Sequence, residues 1–274
     1  MSKTIFITGA SRGFGKLWAE AFLKRGDKVA ATARNTADLA DLVEMYGDKI
    51  LPIQLDVTKR ENVNKAVALI ANHFGSIDVL INNAGYGLFG TVEETTEEQA
   101  RAQMETNFFG LLWVTQAVMP VMRAQKSGHI IQVSSFLGLT TLPMLGLYNA
   151  SKFAVEGLSE TIAREVAHMG INVTLIEPNG YATDWAGASA NQTTNDISDY
   201  NPVREAFATT GENPETWGKP EATVSIVLDL VDHANPPQRL LFGRIAYNVV
   251  KQVYTERLNS IEAWKEVSIA AHGH

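Results

Sequence analysis

The chain has 274 residues, of which 45% are hydrophobic and 19% charged, so it can bury a full core as one α/β domain, with two small domains as the alternative. The net charge of -7 argues against a nucleic-acid partner, and the absence of cysteine excludes disulfides, thiolate catalysis and cysteine-bound zinc. The sequence begins without a signal-like segment and has no apolar stretch of membrane-spanning length, which predicts a cytoplasmic protein with no membrane partner.

Short apolar runs suited to buried strands alternate with helix-like patterns along the chain. We predict strands at Thr4–Thr8, Lys28–Thr32, Ile50–Leu55, Val79–Ile81, His129–Ser134, Ile171–Ile176 and Arg239–Phe242. Helices are predicted near Gly13–Arg25, Thr36–Met45, Arg60–Phe74, Glu97–Gln125, Tyr148–Met169, Glu221–His233 and Ala246–Trp264. This alternation is typical of a single doubly wound, Rossmann-type α/β domain, with a mainly parallel seven-stranded sheet and helices on both faces.

The segment between Pro178 and Pro220 differs in composition from the rest of the chain. It is rich in Asn, Thr, Pro and Gly, yet it also contains four large aromatic residues, Trp185, Tyr200, Phe207 and Trp217. A bare linker would not need such apolar contact residues. We therefore predict a flexible substrate lid over about residues 180–219.

A glycine-rich loop joins the first predicted strand to the first predicted helix. Gly9, Gly13 and Gly15 lie within seven residues, with Ser11, Arg12 and Phe14 between them. Glycines let the backbone turn tightly and approach a pyrophosphate, whose charge the helix N-terminus stabilises. The spacing is neither the usual G-x-G-x-x-G nor a P-loop, and a turn needed only for packing is the alternative.

Tyr148 and Lys152 stand four residues apart in a predicted helix, so both side chains project from one face. An ammonium beside a phenol favours the phenolate and should lower the tyrosine pKa from its ordinary value near ~10. A tyrosine tuned in this way can exchange a proton with a substrate oxygen near neutral pH. Taken singly, each residue is more easily explained as an ordinary core or surface side chain.

The order of these motifs resembles the short-chain dehydrogenase/reductase family. Thr8-Gly9-x-x-x-Gly13-x-Gly15 is followed, in that family's order and spacing, by Asn82-Asn83-Ala84-Gly85, Ser135, Tyr148-x-x-x-Lys152 and Pro178-x-Gly180. The resemblance covers essentially the whole chain. The C-terminal pattern is similar to the hydroxysteroid-dehydrogenase-like branch, which does not by itself name a substrate.

The resemblance implies a catalytic group made of Asn107, Ser135, Tyr148 and Lys152. Tyr148 would exchange the proton, and Ser135 would bind the substrate carbonyl oxygen and stabilise its developing charge. Lys152 would lower the tyrosine pKa and bind the nicotinamide ribose, and Asn107 would hold a water against this lysine. Ser134 would point to the opposite side of the strand from Ser135.

The end of the second strand indicates which nicotinamide nucleotide is bound. Ala33 stands where NAD-preferring relatives commonly carry aspartate, and Arg34 follows it. A carboxylate here would bind a ribose 2′-hydroxyl, whereas arginine pairs with a 2′-phosphate, which Arg12 could reach from the glycine loop. We therefore predict NADP(H) as the cofactor, with two solvated arginines as the alternative.

The family's cofactor contacts extend over the glycine loop and the loops after later strands. The carboxylate of Asp56 would bind the adenine, with a strand-end capping role as the alternative, and Asn83 has the alternative of a simple turn residue. Asn179 replaces the first glycine of the family's Pro-Gly pair. The implied cofactor-binding residues are Gly9, Ser11, Arg12, Gly13, Phe14, Gly15, Arg34, Asp56, Val57, Asn83, Ala84, Gly85, Tyr148, Lys152, Pro178, Gly180 and Thr183.

The predicted substrate walls are apolar. No lysine or arginine is placed to point between them, which favours a medium-sized apolar ketone, aldehyde or secondary alcohol over an anionic substrate. Ordinary core or lid packing is the alternative for each wall residue, and the histidines show no metal-ligand spacing, so no metal is expected. The candidate walls are Phe89, Phe136, Leu137, Met144, Leu145, Tyr181 and Trp185.

Together, these features predict an NADPH-dependent carbonyl reductase that can also run as an alcohol dehydrogenase. Hydride would pass directly between the nicotinamide and the carbonyl carbon. One alternative is a catalytically silent NADP(H)-sensing regulatory protein of the same fold. Another is epimerisation or dehydration, which would need an additional acid and base. The family resemblance also implies a homodimer or homotetramer that pairs through the helices Glu97–Gln125 and Tyr148–Met169.

Overall fold

The computed structural model describes residues 2–183, 185, 190–194, 196–210, 213 and 216–273. Seven strands form one parallel sheet, and two short strands pair separately. In chain order the strands are β1 (Thr4–Ile7), β2 (Lys28–Ala33), β3 (Ile50–Gln54), β4 (Val79–Asn82), β5 (Leu88–Phe89), β6 (Gly128–Val133), β7 (Ile171–Pro178), β8 (Asn191–Gln192) and β9 (Arg239–Phe242). The large sheet has the order β3-β2-β1-β4-β6-β7-β9, so the predicted doubly wound α/β fold is confirmed.

Helices cover both faces of this sheet. Among the helices described, none combines the length and the apolar character that a membrane crossing demands. The α-helices are α1 (Gly13–Arg25), α2 (Ala40–Tyr46), α3 (Arg60–Phe74), α4 (Glu97–Met104), α5 (Leu111–Gln125), α6 (Gly146–Val166), α7 (Asn201–Thr209), α8 (Val224–Asp232), α9 (Arg244–Ala263) and α10 (Lys265–Ala270).

The first strand shows how the two halves of the core arise. Ile5 and Ile7 belong to the apolar cluster that includes Trp18 and Phe22 of α1. Phe6 points to the opposite face and joins the cluster built with residues of α3, α5 and α6. Alternate side chains of a strand face opposite sides of a sheet, so four consecutive buried apolar or small residues indicate a strand covered on both faces.

The predicted helix Glu97–Gln125 is two α-helices joined by a π-helical segment, Glu105–Gly110. Gly110 permits this path, because a Cβ at that position would come within 2.6 Å of a methyl group of Val57. The segment also contains Asn107, one of the predicted catalytic residues. Single π-helical turns within α-helices often occur at functional sites.

The predicted lid region contains more regular structure than its composition indicated. It contributes β8, which pairs with β5, and the short helix α7. Residues 184, 186–189, 195, 211, 212, 214 and 215 of the predicted lid lie outside the described residues. The predicted C-terminal helix, placed at about 246–264, is α9, which begins two residues earlier and is followed by α10.

The loops after β1 and β4 are fastened together where the strand order reverses. The Thr8 hydroxyl oxygen accepts hydrogen bonds from the backbone N–H groups of Asn83 and Ala84, at 3.0 and 3.1 Å. The Asn83 amide donates to the carbonyl oxygens of Thr8 and Gly9, at 3.1 and 2.9 Å. A Cβ on Gly15 would lie 2.3 Å from the Gly9 carbonyl oxygen, so only glycine fits there.

Replacing Gly15 with alanine is expected to lower the free energy of unfolding by about 1–3 kcal/mol, because the added methyl group would force the two loops apart. Gly157 is the matched control, since it lies on exposed α6 surface with no atom within 4 Å of a built Cβ. Gly157→Ala should raise stability by about 0.5–1 kcal/mol. Urea denaturation of both variants checks this, and a Gly15→Ala protein as stable as the wild type would contradict it.

Candidate active site

A cavity of about 550 Å³ lies beyond the carboxyl ends of the central strands. It brings together three of the four predicted catalytic residues, most of the predicted cofactor contacts and four of the predicted substrate walls. The residues that line it include Gly9, Ser11, Arg12, Gly13, Phe14, Arg34, Asp56, Val57, Asn83, Ala84, Gly85, Ser135, Phe136, Leu137, Tyr148, Lys152, Pro178, Gly180, Tyr181, Thr183 and Trp185.

Five predicted site residues lie outside the cavity wall. Gly15 packs beneath the glycine loop, and Asn107 is buried behind Gly85. Phe89 and Leu145 belong to the apolar cluster that supports Tyr148. Met144 lines a different surface cavity, of about 560 Å³, beside the N-terminus of α6, and is not brought together with the other predicted substrate walls. Its loop turns away there, with a backbone φ of 65°.

Ser135 and Tyr148 both line the cavity, and the Ser135 hydroxyl is close enough to the phenol to favour its charged form. Ser135 follows β6 in an extended conformation, and its Oγ accepts from the Leu137 N–H at 3.1 Å and lies 3.3 Å from the Pro178 carbonyl oxygen. Tyr148 lies in the first turn of α6, with 5% of its surface exposed. A hydroxyl and a phenol that lie close together in one cavity can both contact one substrate oxygen.

Lys152 lies one helical turn after Tyr148 and is equally buried. Its Nζ donates to the Val133 carbonyl oxygen at 2.8 Å and lies 5.7 Å from the centre of the Tyr148 ring. Burial lowers the pKa of Lys152 to about 8, and the negative charge of Glu156 opposes this change. Lys152 therefore remains mostly protonated at neutral pH.

The pKa of Tyr148 departs from the prediction made from the sequence. Burial raises the pKa of Tyr148 above its ordinary value, and the nearby Ser135 hydroxyl only partly opposes this effect. The predicted net fall of this pKa is therefore wrong, because the effect of burial outweighs that of the neighbouring polar groups. Spacing along a helix reveals that two side chains share a face, but it does not reveal how much water they lose.

Asn107 fastens the loop after β4 to helix α6. Its Nδ2 donates to the Tyr86 carbonyl oxygen at 3.0 Å and to Ser151 Oγ at 3.1 Å, and its Oδ1 accepts from the Tyr86 N–H at 3.1 Å. Ser151 Oγ in turn donates to the Tyr148 carbonyl oxygen at 2.7 Å. Asn107 thus positions the backbone around Tyr148 and Lys152 from outside the cavity.

The far end of the cavity carries two exposed arginines and an aspartate. Arg12 and Arg34 both line it. Ala33, the last residue of β2, also lines it and presents no carboxylate. Asp56 Oδ1 accepts hydrogen bonds from the Thr58 N–H and hydroxyl, at 3.0 and 2.8 Å. The capping role weighed for Asp56 is therefore present, and the residue also lines the cavity.

The turn at Asn179 does not use the left-handed conformation that a glycine would provide, since Asn179 is absent from the residues with positive φ. Its backbone N–H donates to the Phe242 carbonyl oxygen at 3.0 Å, and its Nδ2 donates to the Gly180 carbonyl oxygen at 2.8 Å. Beside this turn, Thr183 lies against Gly13 of the glycine loop. The turn therefore still closes one side of the cavity.

Aromatic rings form the substrate side of the site. The Trp185 ring lies 4.9 Å from the Tyr148 ring and 5.4 Å from that of Phe89, measured between centroids. Phe207 of α7 packs on Phe89, and Val250 of α9 joins the same cluster. Neither Phe207 nor Val250 was predicted as a wall residue, because no local sequence pattern shows that α7 and α9 pack here.

Tyr86 and Asn191 also line the cavity and were missed by the sequence analysis. Burial raises the pKa of Tyr86, and a hydrogen bond with Asn191 opposes this effect. The position of Tyr86 directly after Asn82-Asn83-Ala84-Gly85 was an available signal. Asn191 had none, because its strand β8 is only two residues long.

Comparison with known proteins gives matches along almost the whole chain. The family model described as short chain dehydrogenase matches residues 3–194. Oxidoreductase BOA17 of Botryotinia fuckeliana is 41% identical over 281 aligned positions, which cover 99% of this chain and 100% of the relative. A 3-ketodihydrosphingosine reductase of Bacteroides thetaiotaomicron is 38% identical over 241 positions, which cover 87% of each protein.

Solved structures agree with this assignment. A short-chain dehydrogenase from Streptomyces avermitilis superposes with a TM-score of 0.90 at 34% identity, covering 98% of both chains. One from Burkholderia cenocepacia in complex with NADP gives 0.77 at 26%, covering 96% of this chain and 97% of that one. One from Burkholderia phymatum in complex with NAD shares the fold, with a TM-score of 0.79 at 23% identity. The match covers 91% of this chain and 92% of that one. The chain described here belongs to the short-chain dehydrogenase family of oxidoreductases.

Proposed function

We propose that this protein is an NADPH-dependent carbonyl reductase that converts an apolar ketone or aldehyde to an alcohol, and that the reaction is reversible. One observation carries the proposal. The Ser135 hydroxyl and the Tyr148 phenol lie in the same cavity as Arg12 and Arg34, so a proton donor and a candidate phosphate site share one space.

The residues present fit a nicotinamide nucleotide. Because the glycines of the loop have no side chains, their backbone is open to a bound nucleotide. The N-terminus of α1 favours the negative charge of a pyrophosphate. Arg12 and Arg34 are placed to hold a 2′-phosphate, which supports NADP(H), while the two Burkholderia structures contain NADP in one case and NAD in the other. When bound, such a nucleotide supplies or accepts the hydride.

The protein groups then supply the proton and hold the substrate oxygen. Because its pKa is raised, the Tyr148 phenol is protonated at neutral pH, and it can donate a proton to a carbonyl oxygen. Ser135 donates a hydrogen bond to the same oxygen and stabilises its developing charge. The positive charge of Lys152 stabilises the phenolate that remains after the transfer.

The walls support an apolar keto substrate. Trp185, Phe136 and Leu137 line the cavity beside Tyr148, and the relative from Bacteroides thetaiotaomicron is named as the reductase of a keto compound. Aromatic and aliphatic walls with a few convergent polar groups suit a substrate that is mostly apolar around one carbonyl.

We also propose that the protein is a homodimer or homotetramer that pairs through the helices α4, α5 and α6. Phe109 and Trp113 stack with their ring centroids 5.9 Å apart, and both side chains remain only partly buried. On α6, Phe153 has 37% of its surface exposed. Partly exposed aromatic side chains of this kind are typical of contacts between subunits.

Replacing Tyr148 with phenylalanine is expected to lower kcat for ketone reduction by about 10²–10⁴-fold while NADPH still binds, because the proton donor is lost. NADPH absorbance is followed with a panel of cyclohexanone, acetophenone and a long-chain 3-keto ester. Tyr247→Phe is the control, since Tyr247 is 57% exposed on α9. Unchanged turnover by Tyr148→Phe would contradict the mechanism.

NADPH binding with no turnover of any carbonyl by the wild type would favour a nucleotide sensor.

Replacing Arg34 with alanine is expected to weaken NADPH binding by about 10- to 100-fold and to leave NADH binding nearly unchanged, since only NADPH carries the 2′-phosphate. Fluorescence titration with both nucleotides measures the two dissociation constants. Arg101→Ala serves as the control, because Arg101 is exposed on α4 and pairs with Glu97. Equal losses for the two nucleotides would contradict the phosphate-binding role.

A further inference from the structure

A pair of buried carboxyl groups lies directly behind the candidate catalytic residues. Glu156 is on α6, one helical turn after Lys152 and two turns after Tyr148, and 4% of its surface is exposed. Glu177 is fully buried near the end of β7, immediately before the Pro178 whose carbonyl oxygen contacts Ser135. The mechanism described above uses neither carboxyl group.

One guanidinium holds both carboxyl groups. Arg239 of β9 contacts Glu156 through Nη1 and donates from the same atom to Glu177 at 2.8 Å, while its Nη2 donates to Glu160 at 2.8 Å. By standard geometry, the second oxygens of Glu156 and Glu177 and the Ser134 hydroxyl have no hydrogen-bond partner among the described residues. The cluster therefore has more acceptor capacity than its donors satisfy.

The loop that carries Ser135 presses against this pair. A Cβ on Gly138 would lie 2.8 Å from Glu156 Cγ and 3.0 Å from both Glu156 Oε1 and Ser134 Oγ. The Ser134 hydroxyl is close enough to lower the pKa of Glu156, which means that it stabilises the charged form. Glu156 is thus one helical turn from Lys152 and packs against the loop that begins at Ser135.

The pair carries fewer charges than its two carboxyl groups would in water. Burial raises the pKa of both, and the negative charge of Glu156 helps to raise the pKa of Glu177 to about 8. Glu177 is therefore mainly protonated at neutral pH, while the ion pair with Arg239 favours the charged form of Glu156. The charged and titratable groups around Lys152 are Tyr148, Glu156 and Glu160 of α6, Glu177 of β7 and Arg239 of β9.

We propose that Glu156 is a positioning residue, whose carboxylate, held by Arg239, keeps Lys152 protonated one helical turn from Tyr148. The charge of Glu156 acts on Lys152 whether or not the protein turns over a carbonyl, and its catalytic consequence rests on the proposed function. A purely structural role, in which the cluster only attaches β9 to α6, would affect stability without affecting the protonation of Lys152.

The test measures the titration of Lys152 directly, by NMR of lysine side chains labelled with ¹³C at Cε, with Lys152→Arg identifying the signal. In Glu156→Gln the titration midpoint of Lys152 should fall by roughly one unit, because a neighbouring opposite charge is lost. Glu160→Gln is the matched control, since Glu160 also binds Arg239 but is 43% exposed at its side chain and does not act on Lys152. There the midpoint should stay unchanged.

Ser134→Ala covers the case in which Glu156→Gln does not fold, because it removes one small hydroxyl. It should lower the Lys152 midpoint in the same direction by a smaller amount, since Glu156 then holds its charge less firmly. In the wild-type reduction assay, activity should fall at high pH as Lys152 deprotonates, and Glu156→Gln should move that fall to lower pH. An unchanged Lys152 midpoint in every folded variant would overturn the proposal, and since the titration needs no turnover, it separates this outcome from failure of the proposed function.

Discussion

The register of helix α6 against the end of β6 is the constraint on which the candidate site depends. Three α6 side chains, spaced four residues apart, face the sheet. Because a helix advances one turn in about four residues, fixing one contact fixes the other two. Each side chain interacts with one of three consecutive residues at the strand end. Lys152 donates to the Val133 carbonyl oxygen, whereas Ser134 lowers the pKa of Glu156 and Ser135 lowers that of Tyr148.

The pKa values of Tyr148 and Lys152 are changed mainly by burial, and less by their polar neighbours. Water removal favours the neutral forms, so it raises the pKa of Tyr148 and lowers that of Lys152 to about 8. Polar groups limit this effect, with the Val133 carbonyl oxygen and Glu156 favouring the charged lysine and Ser135 favouring the charged tyrosine. At neutral pH the phenol is therefore protonated, and the charged Lys152 lies one helical turn away.

The sequence predicted the features that depend on residues close together in the chain, and it did not predict those that depend on distant residues. The strands and the glycine loop were predictable, because each depends on residues within one short stretch. The π-helical segment was not, since Gly110 matters only through its distance to Val57. The cluster of Glu156, Glu177 and Arg239 joins residues up to 83 positions apart, and charged residues read singly predict solvent exposure. The direction of the Tyr148 pKa shift was wrong because spacing does not report burial.

Helix α7, in the predicted lid, is attached to the rest of the protein by one polar and one apolar contact. The buried carboxylate of Glu94 accepts from the Ile197 N–H at 2.7 Å and from the Thr91 hydroxyl at 2.7 Å and also binds Arg204, and these contacts, the first most of all, hold its pKa at about 2. A lowered folded-state pKa contributes stability above the ordinary range of the group, and this contribution is lost as pH falls toward 2. The polar attachment is therefore intact at neutral pH. The second contact of α7, Phe207 on Phe89, is apolar, so it does not depend on the ionisation of Glu94.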